Sequence, residues 1–320
     1  MYQYMAHLER YDIMPLTLRV PTENRIAQMS KLLQLLYAAR QVDVVFIQKR
    51  LFNDRVLSLI QRANDRIVYD FDDAMYSASA PFEVEPGILR KTRRNLTVIL
   101  DQSKLVIAGN AYLALYARQH NRNVMVIPTA IDTDRFAYQE EPPAKELVIG
   151  WIGNSENLHY LQTLQGVFTL LAQRYGNNVL LRVVSGVPYS SQGALKVDNQ
   201  IWTLDTEIHH LRSFHIGVSP LTDDEWTRGK CGFRALQYMA VGVPAVVSPV
   251  GVNRDIVNDG VNGFLAESEE EWFAKLSQLI EKRDLRRRFG QRGRRTVERD
   301  YSLSATLPKL AAALKAVADI

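Results

Sequence analysis

The stretch "WTRGKCGFRALQYMAVGVPAVVSPVGVN", residues 226–253, places two glycines and two cations directly ahead of a short amphipathic helix pattern at 233–241. These residues are Arg228, Gly229, Lys230 and Gly232. Gly242-Val243-Pro244 then stops the helix, because glycine accepts the conformation that ends it and proline cannot continue it. "AVVSPV" reads as a strand, and the turn "GVNRD" (251–255) follows its carboxyl end, where open α/β sheets bind ligands. The first N–H groups of a helix lack partners inside it and carry the positive end of its dipole. Glycines before it let a ligand approach the backbone, and Arg228 and Lys230 add charge, so the arrangement suits a phosphate. A tight turn with two solvated cations is the other reading of this stretch taken alone.

The same alternation fills the rest of the chain. "VDVVFIQ" (42–48), "RIVYDFDD" (66–73), "KLVIAGN" (104–110) and "VMVIPT" (124–129) are short apolar runs, separated by helix-like stretches such as 52–63 and 88–102. A second series repeats the pattern: "LVIGWIG" (147–153), "VLLRVVSG" (179–186), "FHIGVSPL" (214–221) and "PAVVSPVG" (244–251). Strands that are apolar throughout and spaced by helices indicate parallel sheets covered on both faces. The charged, proline-paired segment "FAYQEEPPAKE" (136–146) interrupts this rhythm and reads as a linker between two α/β halves. The expected division is 1–138, 139–302, and a closing Ala/Leu-rich helix at 303–320 that is free to pack back on the first half.

Composition narrows the classes. Of 320 residues 47% are apolar, enough for two ordinary cores. Cys231 is the only cysteine, so no intramolecular disulfide is possible and a reducing, cytoplasmic setting is expected. No apolar run approaches the ~18 residues of a membrane span. The formal net charge of +4 does not suggest nucleic acid. Two basic runs, "RKTRRN" (90–95) and "EKRDLRRRFGQRGRR" (281–295), read as solvated helix faces, or as contacts with the anionic inner face of a membrane.

Residues 232–266, "GFRALQYMAVGVPAVVSPVGVNRDIVNDGVNGFLA", resemble the carboxyl-terminal signature of glycosyltransferase family 4. "LVIGWIGN" (147–154) and "RRTVERDYSL" (294–303) extend the resemblance, and "VFIQKRLF", "VYDFDDAMY" and "VIPTAIDTDRF" look like a bacterial subgroup of the same family. The resemblance implies the GT-B fold, two Rossmann-like domains with parallel sheets about a cleft, with acceptor bound by the first and donor by the second. It further implies sugar transfer from a nucleotide diphosphate (UDP or GDP) sugar as co-substrate, without metal and usually with retention of configuration. The acceptor is left open among glycans, lipid-linked and small molecules.

The family brackets this helix start with a Glu-x7-Glu pair, and the matching positions here are Gly229 and Gln237. Gln237 is expected to meet the ribose hydroxyls, and Gly229 offers only backbone. The family's Arg and Lys after the first strand of the second domain are absent from "GNSENLHY", so Arg228 and Lys230 are expected to hold the leaving phosphates. The donor site is then expected to include Gly153, Asn154, Cys231, Gly232, Phe233, Gly251, Val252 and Asn253. Trp202 reads either as a base-stacking residue or as a core one.

In the first half, Asp70-x-Asp72 imitates a metal-binding pair of another glycosyltransferase fold. Placed at the carboxyl end of a first-domain strand, Asp72 and Asp73 are read instead as binders or base for an acceptor hydroxyl, while a helix N-cap with a buried turn carboxylate is the plainer alternative. Phe71 stands where many members carry a His, and Asn110 reads as a helix N-cap. A GT-B first domain opens with a strand and a Gly-rich loop, whereas "MYQYMAHLERYDIMPLTL" reads as the first helix and second strand. The first sheet is therefore expected to lack its opening strand. A nucleotide-sugar epimerase or phosphorylase on the same fold, and a non-catalytic nucleotide-sugar-binding scaffold, are the rival functions.

Overall fold

The computed structural model describes residues 2–18, 25–77, 84–143, 145–191 and 195–320. The chain divides into two units, Thr129–Ser302 and a discontinuous one made of Met1–Pro128 with Leu303–Ile320.

The discontinuous unit runs α1 (Tyr2–Leu8), α2 (Arg25–Ala39), β1 (Val45–Gln48), α3 (Asp54–Ala63) and β2 (Ile67–Phe71), then α4 (Pro86–Gln102), β3 (Leu105–Ala108), α5 (Ala111–Ala117) and β4 (Val124–Val126). The strands pair in parallel in the order β1-β2-β3-β4. Ile67, Val68, Tyr69 and Phe71 are fully buried, as a strand covered on both faces requires. Asn53 and Asn110 cap α3 and α5, each accepting a backbone N–H three residues on.

Residues 14–18, expected as a strand, join no ladder. Pro15 has no N–H to donate, and among the described residues β1 has a strand neighbour on one side only. Between residues 12–18 and the open edge of β1 lies a cavity of about 750 Å³, bordered by Leu8, Leu35, Ile60 and Leu314.

The second unit holds β5 (Leu147–Ile152), α6 (Leu158–Gln162), α7 (Gln165–Tyr175), β6 (Val179–Ser185), β7 (Val197–Ile201), α8 (Glu207–Arg212) and β8 (Ile216–Ser219). It continues with α9 (Glu225–Arg228), α10 (Phe233–Val241), β9 (Ala245–Val247), α11 (Asn253–Ile256), β10 (Phe264–Leu265), α12 (Glu269–Glu281) and α13 (Arg283–Thr296). Six parallel strands stand in the order β10-β9-β8-β5-β6-β7. β5 sends Val148 and Ile152 into a core with Leu236 and Tyr238 of α10, and Ile149 and Trp151 into a core with Phe168 and Trp272. The last helix, α14 (Leu303–Ala318), belongs to the discontinuous unit, where Tyr4 donates to Thr306 at 2.9 Å.

The segment expected as a linker, 136–146, is fastened to the second unit (Ala144 lies outside the described residues). Phe136 is buried in its core, and the Gln139 N–H donates to Val241 O. Arg286 forks onto Glu141 at 2.8 and 2.7 Å, and Arg294 donates to the carbonyls of Thr133, Phe136 and Ala240. Two arginines of the basic run 281–295 are thus internal ties, not solvated charges. The helical period turned them inward, where Glu141 and unpaired carbonyls receive them.

Candidate functional site

From β5 the chain proceeds to β6 and β7 on one side, while β8, β9 and β10 lie on the other. The carboxyl ends of β5 and β8 therefore form the point where loops diverge and leave an opening for ligand. Arg234, the second residue of α10, spans that point. Its Nε donates to Ile152 O at 2.6 Å and its Nη1 to Ser219 Oγ at 3.2 Å, while the guanidinium lies 4.7 Å from the Trp151 ring. Burial pushes its pKa down, and the partial compensation comes from Tyr238 and Tyr160 rather than from a carboxylate. A desolvated cation without a carboxylate partner attracts an anion. A Cβ at Gly153, the residue after β5, would stand 2.5 Å from Arg234 Nη2 and 2.9 Å from the Trp151 ring, so a larger residue would displace the guanidinium.

Lys230 supplies the second cation. Its Nζ is 3.4 Å from Asn157 Oδ1, with the Trp226 and Tyr160 rings 5.4 and 5.8 Å away. The loop after β5 carries no cation of its own, and Lys230 reaches it from the turn before α10. Gly232 caps α10 in the left-handed conformation, φ +65°, and a Cβ would lie 2.3 Å from Ile256 Cδ1 and 3.1 Å from Val252 Cγ1. Gly153, Lys230, Gly232, Val252 and Arg234 thus gather about the start of α10, with Phe233 exposed and Cys231 half-buried beside it, while Asn154 takes the Asn157 N–H in the turn after β5.

The other expected residues are differently employed. Arg228 forks onto Asp223 at 2.6 and 3.1 Å. Gly229 closes α9, its N–H donating to Trp226 O. Gly251 lies in the turn after β9, and Asn253 opens α11 with its buried amide donating to Ser248 O at 3.0 Å. Gln237 is buried, and its Nε2 donates to Glu207 Oε1 at 2.9 Å. Glu207 also receives Trp202 Nε1 at 3.4 Å and Arg135 Nη2 at 3.2 Å. Glu207, at the head of α8, thus brings a carboxylate to Gln237, beside a half-exposed tryptophan.

In the discontinuous unit, Asp72 and Asp73 follow the carboxyl end of β2, and no helix begins at residues 72–77 for them to cap. Both meet Lys49, whose Nζ contacts Asp72 Oδ1 and lies 2.9 Å from Asp73 Oδ2. Asp70 accepts from Gln48 Nε2 at 2.8 Å; burial raises its pKa and that hydrogen bond opposes the rise. Lys49 centres a three-residue turn, with the Arg50 N–H donating to Gln48 O at 2.6 Å, and its φ is +55°. That conformation costs a residue with a Cβ about 1–2 kcal/mol. The paired side chains are 42%, 31% and 34% exposed, and such ion pairs contribute about 0–1 kcal/mol. Two such pairs together are of the same order as the strain, so the turn gains little net stability from them.

The family model described as "Glycosyl transferases group 1" matches residues 132–296. Over 117 residues the chain is 35% identical to the putative glycosyltransferase EpsD of Bacillus subtilis (strain 168), an overlap of 36% of this chain and 29% of that protein. The chain thus spans less than a third of this relative. Among solved structures, WaaG, a glycosyltransferase involved in lipopolysaccharide biosynthesis, is similar at TM-score 0.69 and 12% identity, over 98% of this chain and 94% of that one. Sucrose-phosphate synthase from Thermosynechococcus elongatus gives TM-score 0.67 at 16% identity, over 94% and 82%. Anabaena HepE in complex with UDP-glucose gives 0.65 at 14%, over 97% and 88%. At these identities the likeness is one of fold.

Proposed function

This chain belongs to the glycosyl transferases group 1 family and has the GT-B fold, and we propose that it moves a sugar from a nucleotide diphosphate donor to an acceptor. The observation that carries this reading is Arg234 and Lys230 converging on the start of α10, beside Gly153, at the point where the strand order reverses. Phosphate charge develops as the glycosidic bond breaks, and two fixed cations with free helix N–H groups stabilise that charge without reorganising. UDP is the first base to test, since HepE is solved with UDP-glucose.

The finer reading is a family 4 enzyme that retains configuration without a metal, its donor on the Thr129–Ser302 unit and its acceptor near Asp72 and Asp73. The cavity beside β1 supports a first sheet one strand short. Exposed Arg90 and Lys91 on α4 support contact with the inner face of a membrane. A non-catalytic nucleotide-sugar binder is the second reading, favoured by Gly229 and by a Gln237 already committed to Glu207.

Thermal shift with UDP, UDP-glucose, GDP, GDP-mannose and uridine tests the proposal, a ligand at 100 times its Kd adding about 2.7 kcal/mol. Lys230→Ala should weaken the diphosphates and spare uridine. Equal loss for both would remove Lys230 from the phosphate site, and binding without donor cleavage selects the second reading.

A further inference from the structure

Among the described residues only Asp12 and Lys49 combine a side chain with positive φ. Asp12 ends a helical turn, and aspartate tolerates this conformation because its short side chain bonds locally. Lysine has no such excuse. The strain at Lys49 is of the same order as the return from its two ion pairs, so the turn adds little net stability, and strain of this kind collects where a side chain must be aimed. What it aims is the ammonium. β1 and β2 run in parallel with Gln48 opposite Asp70, and the Lys49 N–H extends the ladder to Asp70 O at 2.8 Å. The chain then reverses at Lys49, and Nζ reaches the two carboxylates just past the end of β2.

We infer that Lys49 is a positioning residue, kept in a left-handed turn so that one ammonium sits between Asp72 and Asp73. The inference rests on the reading that gives these two carboxylates to the acceptor. Shared between them, the ammonium holds both oxygens in place and stops the carboxylates from turning away from each other. An acceptor hydroxyl then meets a fixed base rather than two mobile ones.

The test compares Lys49→Met, Lys49→Arg and Lys49→Asn in the full chain, with cleavage of UDP-glucose by water as the reaction and thermal unfolding alongside. Lys49→Met keeps the strain and loses the charge: kcat should fall about tenfold or more with KM for UDP-glucose unchanged. Lys49→Arg restores a cation and should recover most of kcat. Lys49→Asn suits the turn, so its Tm should equal or exceed that of the wild type while kcat falls. Unchanged kcat in Lys49→Met overturns the inference, as does a Lys49→Asn chain that melts more than about 3 °C lower. A wild type that cleaves no nucleotide sugar sinks the transferase reading instead, and the Lys49→Asn melting temperature then decides the question of strain alone.

Discussion

Gln237→Glu restores the residue the family usually carries, and the structure says it will destabilise this chain. The amide Nε2 lies 2.9 Å from Glu207 Oε1, and both residues are buried. Substitution sets two carboxylates about 3 Å apart, a repulsion of about 5 kcal/mol at an effective dielectric near 20. Taking up a proton costs less. Protonating one Glu at pH 7 costs about 3.7 kcal/mol, and Arg135 on Glu207 offsets part of the repulsion, so the deficit at pH 7 should be at most about 3–4 kcal/mol. The sign follows from linkage. The folded pKa is raised above the unfolded one, so the deficit is absent below about pH 4, near 1 kcal/mol at pH 5, and grows as pH rises toward the folded pKa. Urea unfolding of both proteins at pH 5 and pH 7 measures it. The double variant Gln237→Glu/Glu207→Gln should recover most of the loss, because it returns one amide to one carboxylate. Equal stability at pH 7, or a deficit that does not shrink at pH 5, would refute the pairing.

Gly153→Ala should weaken nucleotide diphosphate binding about tenfold or more, because its Cβ would stand 2.5 Å from Arg234 Nη2; circular dichroism should stay unchanged. Arg286→Met leaves Glu141 in a half-buried site without its forked partner and should cost about 3 kcal/mol or more in urea unfolding. His215 accepts the Val148 N–H on Nδ1 and faces Pro142 O through Nε2, and burial lowers its pKa. The unfolded chain then binds that proton more readily, so stability should decline as pH falls below about 6.5, with a shallower decline in His215→Gln. Sugar transfer should survive EDTA; a loss restored by Mg²⁺ would return Asp70 and Asp72 to a metal site.

The alternating apolar runs carried the fold because a strand covered on both faces has no choice of composition. Val148 to Ile152, split between two cores, show why such a run cannot be anything else here. The helix start at Gly232 was equally legible, since turn glycines and cations there leave a local signature. Arg234 carries no such local signature, because its role depends on Ile152 and Ser219, which are distant in sequence. Arg228 pointed the same way by composition, yet Asp223 lies five residues earlier and takes its charge. Glu207 and Gln237 are thirty residues apart, and nothing local announces that they meet. The fate of the 281–295 arginines was hidden for the same reason, because charge count does not say which side chains the helical period turns inward. Pro15 is the clearest local warning that was outweighed: an apolar run around it suggested a strand, and the missing N–H and missing neighbour left it outside the ladder.

Among the described residues, the edge of β1 away from β2 pairs with no strand, and that has a consequence in solution. Its outward N–H and C=O groups, close to exposed Met14 and Leu16, form a template for another molecule's backbone, and Val45–Gln48 contains neither a proline nor a lysine to refuse one. An edge of this kind is a liability for self-association as concentration rises, whatever the net charge. Leu16→Lys would act as a gatekeeper at that edge, and dilute preparations would keep the molecules apart for the same reason.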